Sequence, residues 1–224
     1  MKKTALIFLM GALVAIFTLP SFTSKMETGT SSAQDVVSDT NDKTINLENV
    51  LAAYKAEVTA SAMYTAYSEK ARAEKRYEIA LMFRAISTAT AIHAKNHRAV
   101  LEKAGLSVPE VKPEFTVRST KENLQEAIDH ETHQTKTLYP EFVINANKAQ
   151  NNLSKSGMNY AYLTSYKHKD YLQKAIDAME SHDMGSLASV YFVCPNCGNI
   201  YEYDVHAFCQ FSKTPYTKFI KISD

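Results

Sequence analysis

Hydrophobic side chains recur at alternating three- and four-residue spacings from residue 47 to about residue 181, a pattern typical of amphipathic helices packed in a bundle. The motif Ser119-Thr120-Lys121-Glu122 is a capping box that opens a helix. Gly105 suits the left-handed end of another helix, and Pro140 is expected to kink the helix that contains it. The pattern predicts four helices, over residues 47–75, 76–103, 119–149 and 152–181.

The buried stripes of these helices are apolar at one or both ends and polar in the middle. Glu57 and Glu131 lie in the middle of the first and third stripes, and His93 and His168 in the middle of the second and fourth. An unpaired polar group in a core costs about 1–3 kcal/mol, and a charged group costs more. These side chains therefore need partners, which are one another, buried water or a metal ion. A hydrogen-bonded Glu–His cluster without metal accounts for the four residues equally well.

A hydroxyl residue precedes each of these histidines by three positions, Thr90 before His93 and Ser165 before His168. Bundles of the di-iron carboxylate class carry one Glu on each of two helices and a Glu-x-x-His motif on each of the other two. The sequence has this arrangement with both motif glutamates replaced by neutral residues. It therefore predicts a bundle site that retains only part of a di-iron ligand set.

After Gly185 the pattern changes to short β-rich runs at 190–193, 200–203 and 218–220, which predict a small β-rich module. The motif Cys194-Pro195-Asn196-Cys197-Gly198 is a metal-binding knuckle. Cys209 and Ser212 have the spacing of a second knuckle whose last cysteine is replaced. The predicted site for iron or zinc therefore combines three thiolates with Ser212, His206 or water. The alternative is a disulfide between two of the three cysteines, which an oxidising compartment permits.

The amino terminus has the features of a secretory signal. Lys2 and Lys3 are followed by an uncharged run from Ala5 to Leu19, which is too short to span a bilayer comfortably. We predict a signal peptide over residues 1–24 and a disordered, Ser/Thr/Asp-rich tether over residues 25–45. The protein is then exported to the periplasm or cell envelope and keeps no stable membrane span after cleavage. An uncleaved signal anchor is the competing interpretation.

Composition narrows the classes of function. Of the 224 residues, 45% are hydrophobic and 22% are charged, which is typical of a globular protein. The 25 Lys and Arg residues are balanced by 24 Asp and Glu residues, so no excess of positive charge favours nucleic acid as a partner. The length fits one domain with a small appended module. We predict the bundle over residues 46–184 and the module over residues 188–224.

Several stretches of the sequence resemble the rubrerythrin family, over about residues 47 to 222. They are Tyr54-Lys55-Ala56-Glu57-Val58-Thr59-Ala60, His93-Ala94-Lys95, Glu122-Asn123-Leu124, Tyr139-Pro140-Glu141-Phe142 and the Cys194-Pro195-Asn196-Cys197-Gly198 knuckle. The resemblance implies a mainly α fold, a ferritin-like four-helix bundle followed by a small β-rich rubredoxin-like module. It also implies a homodimer that reduces hydrogen peroxide at a non-haem di-iron centre, with an FeS4 site that relays electrons, usually across the dimer.

The resemblance also assigns family positions to residues of this chain. Retained ligands are the terminal carboxylates Glu57 and Glu131 and the imidazoles His93 and His168. Replaced ligands are the two bridging glutamates, now Thr90 and Ser165, a third terminal glutamate, now Gln134, and the fourth rubredoxin cysteine, now Ser212.

These replacements remove the anions that offset the charge of two adjacent iron ions. They favour a mononuclear iron site over a di-iron site in the bundle, and iron or zinc at Cys194, Cys197 and Cys209. We therefore expect an exported metal-binding protein whose di-iron peroxidase activity is lost or much reduced. The alternative is an active non-haem iron oxidoreductase, which reduces peroxide or transfers electrons through a rebuilt metal site.

Overall fold

The computed structural model describes residues 33–203 and 207–223, with side chains from residue 39 onward. The predicted signal peptide, the first part of the predicted tether and His206 lie outside the described residues. Within the described part of the chain, no helix is both long and apolar enough to cross a bilayer.

Four helical rods form the main body of the protein, as the sequence predicts. The third rod consists of two α-helices joined by a π-helical turn, Gln134–Leu138, so the rods contain five α-helices. Their bounds are α1 Ala33–Ala73, α2 Tyr77–Lys103, α3 Thr120–His133, α4 Tyr139–Lys148 and α5 Asn152–Glu180. The prediction of a mainly α, ferritin-like bundle is confirmed.

The predicted disordered tether is wrong for residues 33–45, because α1 already begins at Ala33. The helix is fixed further along by Val50, which is fully buried, and by Asn46, whose side chain accepts a 2.7 Å hydrogen bond from Ser154. Once a helix has formed, each added residue gains a backbone hydrogen bond without a new nucleation cost. The ion pair between Lys43 and Asp39, one turn apart, adds to this extension. Polar composition therefore did not prevent helix formation here.

The predicted helix ends are present in the structure. Ser119 caps α3 and forms a complete capping box with Glu122, and Gly105 follows α2 with a φ of +76°. The kink expected at Pro140 takes the form of the π-helical turn that precedes it. Proline lacks the N–H that would continue the α-helical pattern, and the wider turn accommodates this loss.

Two apolar clusters fill the bundle on either side of its polar centre. One contains Tyr64, Phe83 and Leu172, and the other contains Tyr139 and Met158, all of them buried. The four predicted polar residues lie between these clusters along the helices. The alternation of apolar, polar and apolar positions read from the sequence therefore corresponds to real layers of the core.

A three-stranded antiparallel sheet forms the carboxyl-terminal module and packs on the bundle of the same chain. The strands are β1 Tyr191–Val193, β2 Ile200–Glu202 and β3 Ile220–Ile222, in the order β2-β1-β3. Buried side chains of the module, among them Tyr191, Val193 and Ile222, belong to the same apolar cluster as residues of α2. The module is thus docked by a continuous core rather than held only by its linker.

Candidate metal centres

The four bundle residues predicted from the sequence all face the polar centre of the bundle. Glu57 comes from α1, His93 from α2, Glu131 from α3 and His168 from α5. Each side chain is almost completely buried, since the exposed fractions are 3%, 1%, 2% and 1% respectively. The structure therefore brings together four groups that would each be costly to bury alone.

Glu57 and His93 form the first of two pairs. Nδ1 of His93 lies 3.4 Å from Oε2 of Glu57, and the hydroxyl of Tyr139 donates to Oε1 of the same carboxylate. Burial alone would raise the pKa of Glu57, but the charge and hydrogen bonds of His93 and the Tyr139 hydroxyl bring it below its ordinary value. This carboxylate is ionised at neutral pH.

The other ring nitrogen of His93 points out of the bundle centre toward the module. Nε2 lies 3.1 Å from the backbone oxygen of Cys197 and 3.1 Å from Oγ1 of Thr164. The Thr164 hydroxyl donates to the backbone oxygen of Tyr160 at 2.9 Å, so both neighbours of Nε2 act as acceptors and Nε2 carries a hydrogen. Nδ1 then faces an ionised carboxylate, and this contact is favourable only with a proton or a metal ion on Nδ1.

Glu131 and His168 form the second pair. Nδ1 of His168 lies 3.1 Å from Oε1 of Glu131, and the hydroxyl of Tyr64 donates to the same oxygen at 2.7 Å. Burial is the largest single influence and raises the pKa of Glu131, but His168, His130 and the Tyr64 hydroxyl together outweigh it and lower the pKa to about 2. Nε2 of His168 has no hydrogen-bond partner among the described residues. Of the two ring nitrogens of His168, Nδ1 therefore has a hydrogen-bond partner among the described residues and Nε2 does not.

The replaced ligand positions contribute no negative charge to this centre. The Thr90 hydroxyl donates back to its own helix, to the oxygens of Ile86 at 3.1 Å and Ser87 at 3.0 Å. Ser165 is buried. The amide nitrogen of Gln134 lies 3.1 Å from Nε2 of His130, and its amide oxygen has no partner within the described part of the chain.

The donors of the bundle do not fit a di-iron centre. Two donors at about 2.1 Å from one ion and at an angle of 90–110° lie about 3.0–3.4 Å apart, so each Glu–His pair has the spacing of two ligands of one metal. However, two ligands per ion are too few, and no carboxylate is left to bridge two ions. Outside the cysteine module, no three His, Cys, Asp or Glu donors of the described residues lie within 4.8 Å of one another. A single ion held by all four residues stays a prediction, and the two separate pairs do not support it.

The three cysteines do form a convergent donor set. The Sγ atoms of Cys194, Cys197 and Cys209 all lie within 4.8 Å of one another, and all three residues are fully buried. Sulfurs bound at about 2.3 Å to one tetrahedral ion lie about 3.8 Å apart, which agrees with this clustering. Oγ of Ser212 lies 3.2 Å from Sγ of Cys194 and 2.8 Å from Oγ1 of Thr214. Ser212 therefore lies beside the sulfurs, where the fourth ligand of a tetrahedral ion is needed. The set fits one iron or zinc ion.

The disulfide considered as an alternative does not occur in the structure, where all three cysteines are free. Sγ of Cys197 lies 3.3 Å from Sγ of Cys209, in hydrogen-bond contact. Hydrogen bonds among the thiols lower the pKa of Cys209 and raise the pKa of Cys197, in both cases with Cys194 as the largest contributor. Cys209 is therefore the member of the set that most readily becomes a thiolate, the form that binds metal.

Several site residues have no signal in the sequence. Thr164 of α5 contacts Nε2 of His93, and Lys167 of the same helix contacts Asn199 beside the cysteines. Neither residue belongs to a recognisable motif. Asn199 and Tyr201 donate to Sγ of Cys209 at 3.9 Å and 3.4 Å. Docking of the module onto the bundle brings Thr164 and Lys167 to the site, whereas Asn199 and Tyr201 reach Cys209 within the module itself.

Comparisons with known proteins agree with this architecture. A family model described as rubrerythrin matches residues 48–176. Rubrerythrin-2 of Clostridium acetobutylicum is 32% identical over 148 residues, which are 65% of this chain and 79% of the relative. Nigerythrin of Nitratidesulfovibrio vulgaris is 28% identical over 158 residues, which are 70% and 76% of the two chains. The solved structure of nigerythrin in its fully reduced, all-ferrous state is similar with a TM-score of 0.69 at 27% identity, covering 79% of this chain and 86% of that one.

Proposed function

Because the chain belongs to the rubrerythrin family, we propose that it is an exported metal-binding member in which the cysteine module holds iron or zinc. In this proposal the bundle has lost, or much reduced, di-iron peroxide reduction. One contrast carries the proposal: each buried carboxylate of the bundle is already matched by a histidine and a tyrosine, whereas three cysteine sulfurs converge without a disulfide.

The charge balance of the bundle supports loss of the family reaction. Glu57 and Glu131 supply two negative charges, and the tyrosine hydroxyls that contact them donate hydrogen bonds without adding charge. Two adjacent divalent ions need more anionic ligands than this. Thr90 and Ser165 are small and neutral, and they leave the centre polar without making it a strong metal site.

Residues of the cysteine module have defined roles toward a bound ion. Cys194, Cys197 and Cys209 would hold it as thiolates, and Ser212 would be the fourth donor. Gly198 adopts a φ of +73°, and its N–H donates to the oxygen of Cys194 at 2.9 Å, which closes the first knuckle around the site. A bound iron ion would supply one-electron chemistry, and a zinc ion would stabilise the module only.

Export and dimer formation are further parts of the proposal. A positively charged start followed by an uncharged run supports export, and family membership supports a homodimer. Amino-terminal sequencing of the protein from the cell envelope tests export. A mature chain that begins near residue 25 is expected, whereas an intact chain in the cytoplasm contradicts export.

Peroxide turnover tests the proposed loss of activity. Wild-type protein and the variant His93→Ala are incubated with ferrous iron. Their rates of hydrogen peroxide consumption are then compared in the presence of an electron donor. We expect the two rates to agree, because the wild-type bundle lacks a di-iron ligand set. A wild-type rate at least about tenfold higher, with iron bound in pairs, contradicts the proposal.

A second candidate function is an active non-haem iron oxidoreductase. One observation favours it: the backbone oxygen of Cys197 lies 3.1 Å from Nε2 of His93, so the two candidate centres are in contact within one chain. Iron that is reduced in the cysteine module and reoxidised by peroxide only when His93 is present would favour this candidate.

A further inference from the structure

Lys167 of α5 extends from the bundle into the cysteine module. Its Nζ donates to Oδ1 of Asn199 at 2.8 Å and to the backbone oxygen of Ile200 at 3.0 Å. The same ammonium lies 4.6 Å from the ring centre of Tyr201 and 6.0 Å from that of Phe211. The half-buried ammonium group therefore contacts neutral oxygens and aromatic faces, all of them in the module.

A cation in this environment requires a compensating charge. Burial lowers the pKa of Lys167, and the interactions that oppose this shift come first from the thiols of Cys209 and Cys197. Lys174, two turns further along α5, differs in this respect because its Nζ forms a 3.0 Å ion pair with the Glu202 carboxylate. The thiols of Cys209 and Cys197 are therefore among the groups that can offset the charge of Lys167, together with the carboxylates of Glu202 and Asp170.

Two of the groups that contact Lys167 also contact a cysteine sulfur. Asn199 accepts from Lys167 with its oxygen and donates to Sγ of Cys209 with its nitrogen. Tyr201 presents its ring to Lys167 and donates its hydroxyl hydrogen to the same sulfur at 3.4 Å. The positive charge is therefore one intervening side chain away from Sγ of Cys209.

We propose that Lys167 is a positioning residue of the cysteine site, whose fixed positive charge favours a divalent ion, Fe²⁺ or Zn²⁺, on the three thiolates. Binding converts three neutral thiols and M²⁺ into a complex with one net negative charge and releases three protons. A nearby cation stabilises this complex over the neutral thiols. For iron, it also favours the Fe²⁺ complex over the Fe³⁺ complex, which carries one negative charge less. The inference rests on the proposed metal binding by the cysteine module.

The test compares three variants with the wild-type chain. Lys167→Met removes the charge at similar length, Lys167→Arg keeps a cation, and Lys174→Met removes a surface cation from the same helix. Zn²⁺ affinity is measured by competition with a chromogenic chelator, and the reduction potential is measured on iron-loaded protein. We expect Lys167→Met to weaken Zn²⁺ binding by about tenfold or more and to lower the potential. Lys167→Arg should retain most of both properties, and Lys174→Met should change neither.

Several outcomes overturn the inference. Unchanged Zn²⁺ affinity and potential in Lys167→Met show that Lys167 does not act on the site. If that variant does not fold, Lys167→Gln keeps a hydrogen-bond donor without the charge, and wild-type affinity in Lys167→Gln has the same meaning. A wild-type chain that binds neither ion through its cysteines refutes the proposed function itself, and the inference with it.

Discussion

Nε2 of His93 in α2 lies 3.1 Å from the backbone oxygen of Cys197 in the cysteine module. A second contact also joins α2 to the first knuckle: Nδ2 of Asn96 donates to the backbone oxygen of Asn196 at 2.9 Å. The contact with Cys197 orients the His93 ring and leaves its other nitrogen facing Glu57. The first knuckle therefore helps to define the tautomer of a histidine in the bundle centre.

Gly198 is predicted to be indispensable for this docking. Its φ is +73°, and a Cβ at this position would lie 2.9 Å from the backbone oxygen of Ala89 and closer still to Nε2 of His93. We expect Gly198→Ala to lower the free energy of unfolding by about 2–5 kcal/mol, through backbone strain and overpacking. Urea denaturation measures this change.

Gly105→Ala is the matched control for Gly198→Ala. Gly105 has a similar φ of +76°, but a Cβ there would have no atom within 4 Å. Backbone strain alone then applies, and we expect a loss of about 1 kcal/mol. Equal losses in the two variants would contradict the close approach of the module to His93.

Restoring the two motif glutamates is predicted to restore iron binding in the bundle. Thr90 and Ser165 remain three residues before His93 and His168, on helices that present all four residues to the centre. We expect the double substitution Thr90→Glu with Ser165→Glu to bind about two additional iron ions per chain, because it supplies the missing bridging anions. Iron analysis and the visible absorption of the oxidised protein measure this gain.

The variant Thr90→Gln with Ser165→Gln provides side chains of the same size without charge. We expect it to bind no additional iron. Equal iron binding by the Glu and Gln double variants, or no gain with glutamate in a folded protein, would mean that the helices no longer hold the metal-site geometry.

The second Glu–His pair predicts a specific loss of stability in acid. The pKa of Glu131 is lowered from 4.5 to about 2 in the folded protein. Its contribution is therefore complete above about pH 4.5 and is lost as pH falls toward about 2. This shift corresponds to about 3 kcal/mol at neutral pH. We expect Glu131→Gln to be less stable than wild type at pH 7, with the difference narrowing at pH 3 in urea unfolding.

Glu102→Gln serves as the surface control for Glu131→Gln. Glu102 is exposed and pairs with Arg98, one turn away on α2. We expect its substitution to change stability by less than about 1 kcal/mol at either pH. If the difference between wild type and Glu131→Gln does not depend on pH, the buried pair is not ionised as described.

Substitution by leucine is predicted to lower the stability of the protein much less at His97 than at His93. His97 is fully buried, burial lowers its pKa to about 4, and its Nδ1 has no partner among the described residues. We expect His97→Leu to change stability by no more than about 1 kcal/mol, because it removes a poorly satisfied polar group. His93→Leu should cost about 3–5 kcal/mol, because it leaves the buried Glu57 carboxylate without its imidazole partner.

Thermal or urea unfolding of the two histidine variants at pH 7 measures this difference. A large loss in His97→Leu would show that His97 is an additional partner of Glu57. Metal content measured in the same samples should be unchanged in His97→Leu.

Local signals were sufficient to predict the bounds of two helices closely. The predicted ranges 76–103 and 152–181 agree within one residue with α2, Tyr77–Lys103, and α5, Asn152–Glu180. Apolar periodicity and end signals act within a few residues, so they can be read from the sequence directly.

Long-range packing accounts for what the sequence did not predict. The contact between His93 and Cys197 joins residues 104 positions apart, and Lys167 reaches the module only because the module docks on α5. The start of α1 at Ala33 depends on a helix that is stabilised further along the chain. None of these features leaves a periodicity or a motif in the sequence.

Metal analysis of the whole chain and two double variants tests the central claim most directly. Cys194→Ala with Cys197→Ala removes half of the proposed donor set of the module, and Glu57→Gln with Glu131→Gln removes both bundle carboxylates. Metal per chain is measured by elemental analysis after purification. We predict about one ion per wild-type chain, absent from the cysteine variant and retained by the glutamine variant. About two iron ions per chain that persist in the cysteine variant and disappear from the glutamine variant would contradict the claim.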